Sequence, residues 1–183
     1  MAIVKKLKHP LPYDELSALL KDAYKERTDA GLNFACASFC GEDLRNHLSE
    51  NAIIFGAYES NRLVGMCVLN SINNRYRIRY GTYEYLAVNN SKKRQGIGRD
   101  FFYEMVKEAK VCELDFILSD TAVPAISAVK YHLKAGFKIY GHSHYSGRTY
   151  DSVNFILPLT FKGRLFASPI GRKILGLIFC KTY

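Results

Sequence analysis

Residues 82–104 read TYEYLAV, then NNSKKRQ, then GIGRDFFYE. The first seven alternate as a strand does, with Glu84, Leu86 and Val88 on one face and Tyr83, Tyr85 and Ala87 on the other. The last nine open a helix in which Phe102, Met105, Val106 and Ala109 recur at i, i+3, i+4 and i+7. Between them lie Lys92, Lys93, Arg94, Gln95, Gly96, Ile97, Gly98 and Arg99. The first N–H groups of a helix are unpaired, and the helix dipole adds positive charge there. Two glycines admit a ligand to that backbone and four basic side chains surround it. The turn therefore reads as a site for a phosphate-bearing ligand. It is neither a P-loop, since no Gly-Lys-Ser/Thr follows, nor a dinucleotide fingerprint, since a third glycine is missing.

The rest of the composition fits one cored domain. The chain has 183 residues and a formal net charge of +9. That charge favours anionic partners: a polyphosphate ligand, a phospholipid surface or nucleic acid. No apolar run reaches the length of a membrane span, and no segment reads as a signal peptide. Cys36, Cys40, Cys67, Cys112 and Cys180 are scattered and contain no Cys-x-x-Cys pair. They read as reduced thiols, so a cytoplasmic location is expected and no metal site is.

Taken in order, the patterns predict strands over 3–8, 52–58, 62–72, 75–88, 116–119, 137–145 and 153–159, with a bulge near Gly81. Helices are predicted from Pro12 to about Thr28, over 41–49, over 98–111 and over 125–134, the last closed by Gly136. Ala125, Ala128 and His132 share one face of that last helix. Val129 and Leu133 share an adjacent face, expected to enter the core.

Two segments carry a family resemblance. Lys93-Arg94-Gln95-Gly96-Ile97-Gly98, following Leu86-Ala87-Val88, resembles the acyl-CoA pyrophosphate loop of the GNAT superfamily of N-acetyltransferases. That motif reads Gln/Arg-x-x-Gly-x-Gly/Ala, and the Lys at its first position here keeps the charge. Residues 125–137, AISAVKYHLKAGF, resemble the second GNAT signature, a helix lying against coenzyme A. His132 takes its Tyr/His position, Ala128 its small position, and Ala125 stands where the family usually has Asn. The resemblance covers roughly residues 3–159.

It implies an α/β (α+β) fold: a mixed, mostly antiparallel sheet of about seven strands, flanked by about four helices and splayed at the cofactor strand. It also implies acetyl-CoA as co-substrate and acetyl (acyl) transfer to a primary amine by direct attack in a ternary complex. The backbone of Leu86, Ala87 and Val88 would hold the thioester. Residues Lys93, Arg94, Gln95, Gly96, Ile97, Gly98 and Arg99, with Ala128 and His132, would hold the rest of the cofactor. Glu84, the acid on the motif strand, is the candidate base. His132 is the candidate to protonate the leaving thiolate, with Tyr131 as the fallback. Glu26, Arg27, Asn33 and Phe34, and the cluster His142, His144, Tyr145, Arg148 and Asp151, are expected near the acceptor.

Residues 161–183 extend beyond a family domain spanning 1–160. Lys162, Arg164, Arg172, Lys173 and Lys181 have no acidic residue among them. Ile170, Ile174, Leu177 and Ile178 form one apolar helical stripe. That stripe is expected to pack on the domain or on a second subunit as a homodimer. The alternative is a basic amphipathic helix on an anionic membrane, making the protein membrane-peripheral and an amino sugar of a glycan pathway a fitting acceptor. A different class of function, a basic nucleic-acid-associating module on a degenerate core, draws on the net charge. It is disfavoured because the basic residues are spread along the chain and match no nucleic-acid motif.

Overall fold

The computed structural model describes residues 2–75 and 77–180, without the side chains of 71–75. The strands are β1 (Ile3–Lys6), β2 (Ile53–Glu59), β3 (Arg62–Arg75), β4 (Ile78–Val88), β5 (Phe116–Ala122), β6 (Lys138–His144) and β7 (Asp151–Pro158). The helices are α1 (Tyr13–Asp29), α2 (Gly41–His47), α3 (Ile97–Val111), α4 (Ile126–Lys134), α5 (Phe161–Phe166) and α6 (Pro169–Phe179). One sheet runs β1-β2-β3-β4-β5-β7-β6, antiparallel except where β4 meets β5. The seven expected strands and the expected fold class are present.

Three apolar layers follow from strand alternation. Ile117 and Phe155 point to the face covered by α3 and α4, where they meet Phe101, Met105 and Phe137. On the opposite face, α1 and α2 bury Leu16, Leu20 and Leu44 over Ile54, Met66 and Val68. The same opposite face of β5 and β7, through Phe116, Leu118 and Ile156, is covered by Ala167 and Leu175 of the C-terminal helices.

Strand β4 departs from simple alternation. Val68 pairs with Glu84 and Met66 with Ala87, so three steps on β4 answer two on β3. The extra residue sits at Tyr85, whose φ is 51°, and such a bulge resets which side chains share a face. Tyr83, Leu86 and Val88 contact the α3 core, while Tyr85 and Ala87 contact the α1–α2 core. The expected grouping of Glu84 with Leu86 and Val88 is therefore corrected. Glu84 stays with Thr82, whose Oγ1 donates to Glu84 Oε1 at 2.6 Å. Opposite Gly81 the ladder slips as well, but there the extra residue lies on β3, between Asn70 and Asn73.

Two helix faces are also corrected. The buried stripe of α3 is Ile97, Phe101, Met105 and Ala109, with Phe102 and Val106 at its margin. Leu133 of α4 is exposed, and His132 is the buried residue of that helix.

The C-terminal helices do not pack the expected stripe on the domain. Gly171 and Leu175 of α6 are buried, whereas Ile170, Ile174, Leu177 and Ile178 face outward. Gly171 lies so close to the end of α5 that a Cβ there would collide with the Leu165 carbonyl, and a Cβ at Gly163 would collide with that of Asp115. Close backbone approach, not a leucine-rich stripe, selects the inward face. Lys181 lies outside the described residues. Among the described residues no helix is long and apolar enough to cross a membrane.

Candidate active site

Strands β4 and β5 pair in parallel over only Tyr80–Thr82 and Phe116–Leu118. Beyond those residues they part. A cleft of about 1060 Å3 opens between them, lined by Leu86, Ala87 and Val88 on one side and Ser119, Asp120 and Thr121 on the other. Ala125, Ala128, Tyr131 and His132 of the α4 segment also line it. A second cleft of about 610 Å3 adjoins the start of α3, bordered by Gly96, Ile97, Gly98, Arg99 and Lys134. Val88, Lys93, Arg94 and Tyr131 line both.

The second cleft gathers helix-start N–H groups and basic side chains. The bond from Asp100 N–H to the Gly96 carbonyl begins α3, which leaves the preceding N–H groups outside the helical ladder. Gly96 has φ 89° and Arg94 φ 64°, both left-handed. Glycine takes that conformation freely, whereas at Arg94 it stores strain of about 1 kcal/mol. Lys92 is paired with Glu59, and Lys93 with Glu26 of α1 at 2.8 Å. Among the described residues, Arg94 and Lys134 have no carboxylate partner. Ile97 is buried, so its part in this cleft is its backbone.

The first cleft is aromatic and carries two carboxylates on one sheet face. Glu84 Oε2 accepts from Asn70 Nδ2 at 2.9 Å and its Oε1 from Thr82. Asp120 is exposed on the side that opens into the cleft and walled by protein on the others. Burial pushes its pKa up from 3.8, Ser152 opposes that by a hydrogen bond, and the Glu84 charge adds to it. Tyr24 lies 5.0 Å from Phe34, ring to ring, and Phe34 lies 4.8 Å from Tyr150. The Arg27 guanidinium sits over Tyr24 and Phe34, and that of Arg148 over Tyr150. Cys36 lines this cleft, with its thiol pushed up to about 11 by burial.

Asn33 does not line the cleft; it fastens the roof. Its Oδ1 accepts from Thr149 N–H at 2.8 Å, its Nδ2 donates to the Gly147 carbonyl at 2.6 Å, and its own carbonyl accepts from Arg148 Nη1 at 2.7 Å. This joins the segment after α1 to the β6–β7 turn. His144 pairs with Asp151 on the exposed side of that hairpin, and of the five residues expected there Arg148 alone lines the cleft.

Tyr131 and His132 divide their work. His132 stacks on Phe155 at 4.6 Å and is 5% exposed. Its Nδ1 meets the Ala128 carbonyl at 2.8 Å and its Nε2 meets Ser119 Oγ at 3.0 Å. Burial lowers its pKa, opposed by the Ala128 contact. The Tyr131 hydroxyl donates to the Gly98 carbonyl at 2.8 Å and lies 3.2 Å from the Tyr83 hydroxyl. Burial raises its pKa to about 12, so it is a protonated donor where the two clefts meet.

Every residue named from sequence as catalytic or cofactor-binding lines one of the two clefts except Gln95, whose side chain turns back toward the Ser91 carbonyl at 3.4 Å. Asp120, Ser119, Tyr24 and Tyr150 were not anticipated. The signal for Asp120 was period two: Phe116, Leu118 and Asp120 continue one face if the strand runs past residue 119, as it does to Ala122.

Comparisons with known proteins agree with this architecture. The family model described as "Acetyltransferase (GNAT) domain" matches residues 40–153. No curated protein matches the chain. Among solved structures, an N-acetyltransferase from Staphylococcus aureus Mu50 is 20% identical, with a TM-score of 0.69, covering 86% of this chain and 97% of its own. A probable acetyltransferase from Staphylococcus epidermidis ATCC 12228 is 21% identical, with a TM-score of 0.70, covering 87% and 100%. A GNAT family acetyltransferase from Elizabethkingia anophelis, solved with acetyl-CoA bound, is 18% identical, with a TM-score of 0.60, covering 86% and 98%. At these identities the likeness is one of fold.

Proposed function

Because this chain belongs to the GNAT acetyltransferase family, we propose that it transfers an acetyl group from acetyl-CoA to a primary amine, with both substrates bound at once. One observation carries the reading. A basic cleft at a helix start and a carboxylate-bearing aromatic cleft meet at Tyr131, in the gap where β4 and β5 part. The cofactor's phosphates suit Arg94, Arg99, Lys134 and the N–H groups at the start of α3. Its pantetheine arm suits the backbone of residues 86–88, on the side of β4 that β5 leaves unpaired.

The amine must lose a proton before or as it attacks. Glu84 and Asp120 face the same cleft, and each is a base for it. For Asp120 the surrounding protein moves its pKa upward, the direction that suits a base. Charge gathering on the thioester oxygen meets backbone N–H groups of β4. Tyr131 Oη supplies the proton to the departing thiolate, while His132, held at both ring nitrogens, fixes Ser119 and the start of β5. A buried thiol with a pKa of about 11 is a poor nucleophile, so Cys36 does not carry the acyl group. Most of the acceleration is positioning of two substrates. Arg27 and Arg148 over their aromatic rings favour an acceptor that carries an anionic group beside its amine.

Titration calorimetry with acetyl-CoA, followed by thiol release against a panel of amines, tests this. Absence of binding at millimolar acetyl-CoA would overturn it.

A further inference from the structure

Independently of acyl transfer, we infer that α5 and α6 form a docking surface for an anionic phospholipid bilayer. Twelve large apolar side chains are exposed among the described residues, and six of them fall within α5 and α6: Phe161, Leu165, Ile170, Ile174, Leu177 and Ile178. Leu177 is 88% exposed. The other six are scattered along the chain from Ile3 to Leu133. Isolated exposed apolar residues are ordinary, but a contiguous group on two successive helices marks an interaction surface.

These helices are not loosely attached. Leu175 and Ala167 are buried against Phe116 and Ile156, and Phe179 meets the Tyr80 ring edge-on at 5.6 Å. Arg172 Nη1 donates to the Ile139 carbonyl at 2.9 Å, and Lys162 Nζ to the Arg77 carbonyl at 2.7 Å. The apolar face is thus held outward by a well-packed inner face, and it cannot be buried by a small rotation of α6.

Charge selects the occupant. No Asp or Glu follows Asp151 in the sequence. Exposed Arg164 and Lys173 have no carboxylate partner among the described residues. Apolar side chains with cations at their margin match the boundary between acyl chains and anionic headgroups. A second copy meeting this face across a two-fold axis would bring two faces rimmed by cations together, with no acid in the tail to answer them. At eleven residues, α6 is far too short to span, so it lies along the surface.

The test is co-sedimentation of the full chain with vesicles of phosphatidylcholine alone and of phosphatidylcholine mixed with phosphatidylglycerol. Expected is pelleting with the mixed vesicles, weakened by salt and reduced at least about tenfold in the double variant Ile170→Ser/Leu177→Ser. Arg164→Glu/Lys173→Glu should lose the preference for anionic vesicles. Both variants change exposed side chains only, so unchanged circular dichroism and Tm confirm that they fold. Failure of the wild type to bind mixed vesicles, or equal binding by all variants, overturns the inference. So does a lipid-free dimer, seen by light scattering, that Ile170→Ser/Leu177→Ser dissociates.

Discussion

Ser119 Oγ donates to the Tyr83 carbonyl at 2.8 Å, bridging β4 and β5 one residue past their last ladder pair. The hydroxyl closes the throat of the gap, and His132 Nε2 holds it from behind. Beyond this point the chemistry depends on groups that the strands aim into the cleft.

Asp120→Asn should be more stable than wild type at neutral pH and less active. A carboxyl whose folded pKa is raised contributes stability that is complete below its unfolded value of 3.8 and is lost as pH rises through the folded pKa. Replacing it by an amide removes that loss and can keep the bond to Ser152. Thermal melts should show a gain at pH 7 that disappears below pH 3.8. The expected fall in kcat/KM is about 100-fold.

Glu84→Gln should fold normally and lower kcat by about 100-fold if Glu84 shares the base role. The amide is tolerated because Thr82 Oγ1 can accept from it once its own proton turns to the Asn70 carbonyl, 3.1 Å away. Unchanged kcat would reduce Glu84 to a structural acceptor for Asn70.

Removing the unpaired cations should weaken the cofactor more than removing a paired one. The double variant Arg94→Ala/Lys134→Ala should raise the Kd for coenzyme A about tenfold at low salt, with the effect shrinking as salt is added. Lys93→Ala should do less, since Lys93 already pairs with Glu26.

Tyr131→Phe and His132→Phe separate a proton donor from a wall residue. Tyr131→Phe should lower kcat with little change in KM. His132→Phe should lose about 1 kcal/mol at pH 8 from the buried bond of its Nδ1–H to the Ala128 carbonyl. A histidine whose folded pKa is lowered contributes stability that is complete above its unfolded value of 6.5 and is lost as pH falls toward the folded pKa. The wild type should therefore lose stability below pH 6.5, and His132→Phe should lose less over the same range. Chemical unfolding at a series of pH values measures both.

Asn33→Ala removes two of its side-chain bonds to the β6–β7 turn and should cost about 1–2 kcal/mol. The acceptor KM should rise while acetyl-CoA binding holds. A rise in both would mean that the roof also orders the cofactor cleft.

What could be read from sequence was what is local. The helix start at Gly96, with its left-handed turn and basic neighbours, was legible within eight residues, because helix starts and left-handed turns depend on short-range geometry. The bulge at Tyr85 could not be read, because a bulge is a choice of register against β3, and one extra residue moved Glu84 away from Leu86 and Val88. The tail shows the other limit. Periodicity marked Ile170, Ile174, Leu177 and Ile178 as one face, but inward packing is decided by what the sheet offers. Over β5 and β7 that surface takes Ala167 and Leu175, with Phe166 and Phe179 at its edge. Asp120 was legible in principle and lost to a strand ended three residues early.

Three residue pairs join β1–β4 to β5–β7. Mechanically the sheet is two leaves on a short spine, one carrying α1 and α2 and the other α5 and α6, with the layer under α3 as their common adhesive. Width of the gap is then a degree of freedom with little backbone bonding to oppose it. Any chain that pairs with both open edges fastens the leaves together, so ligand affinity and sheet rigidity become one quantity, measurable as slowed amide exchange in residues 83–88 and 119–122.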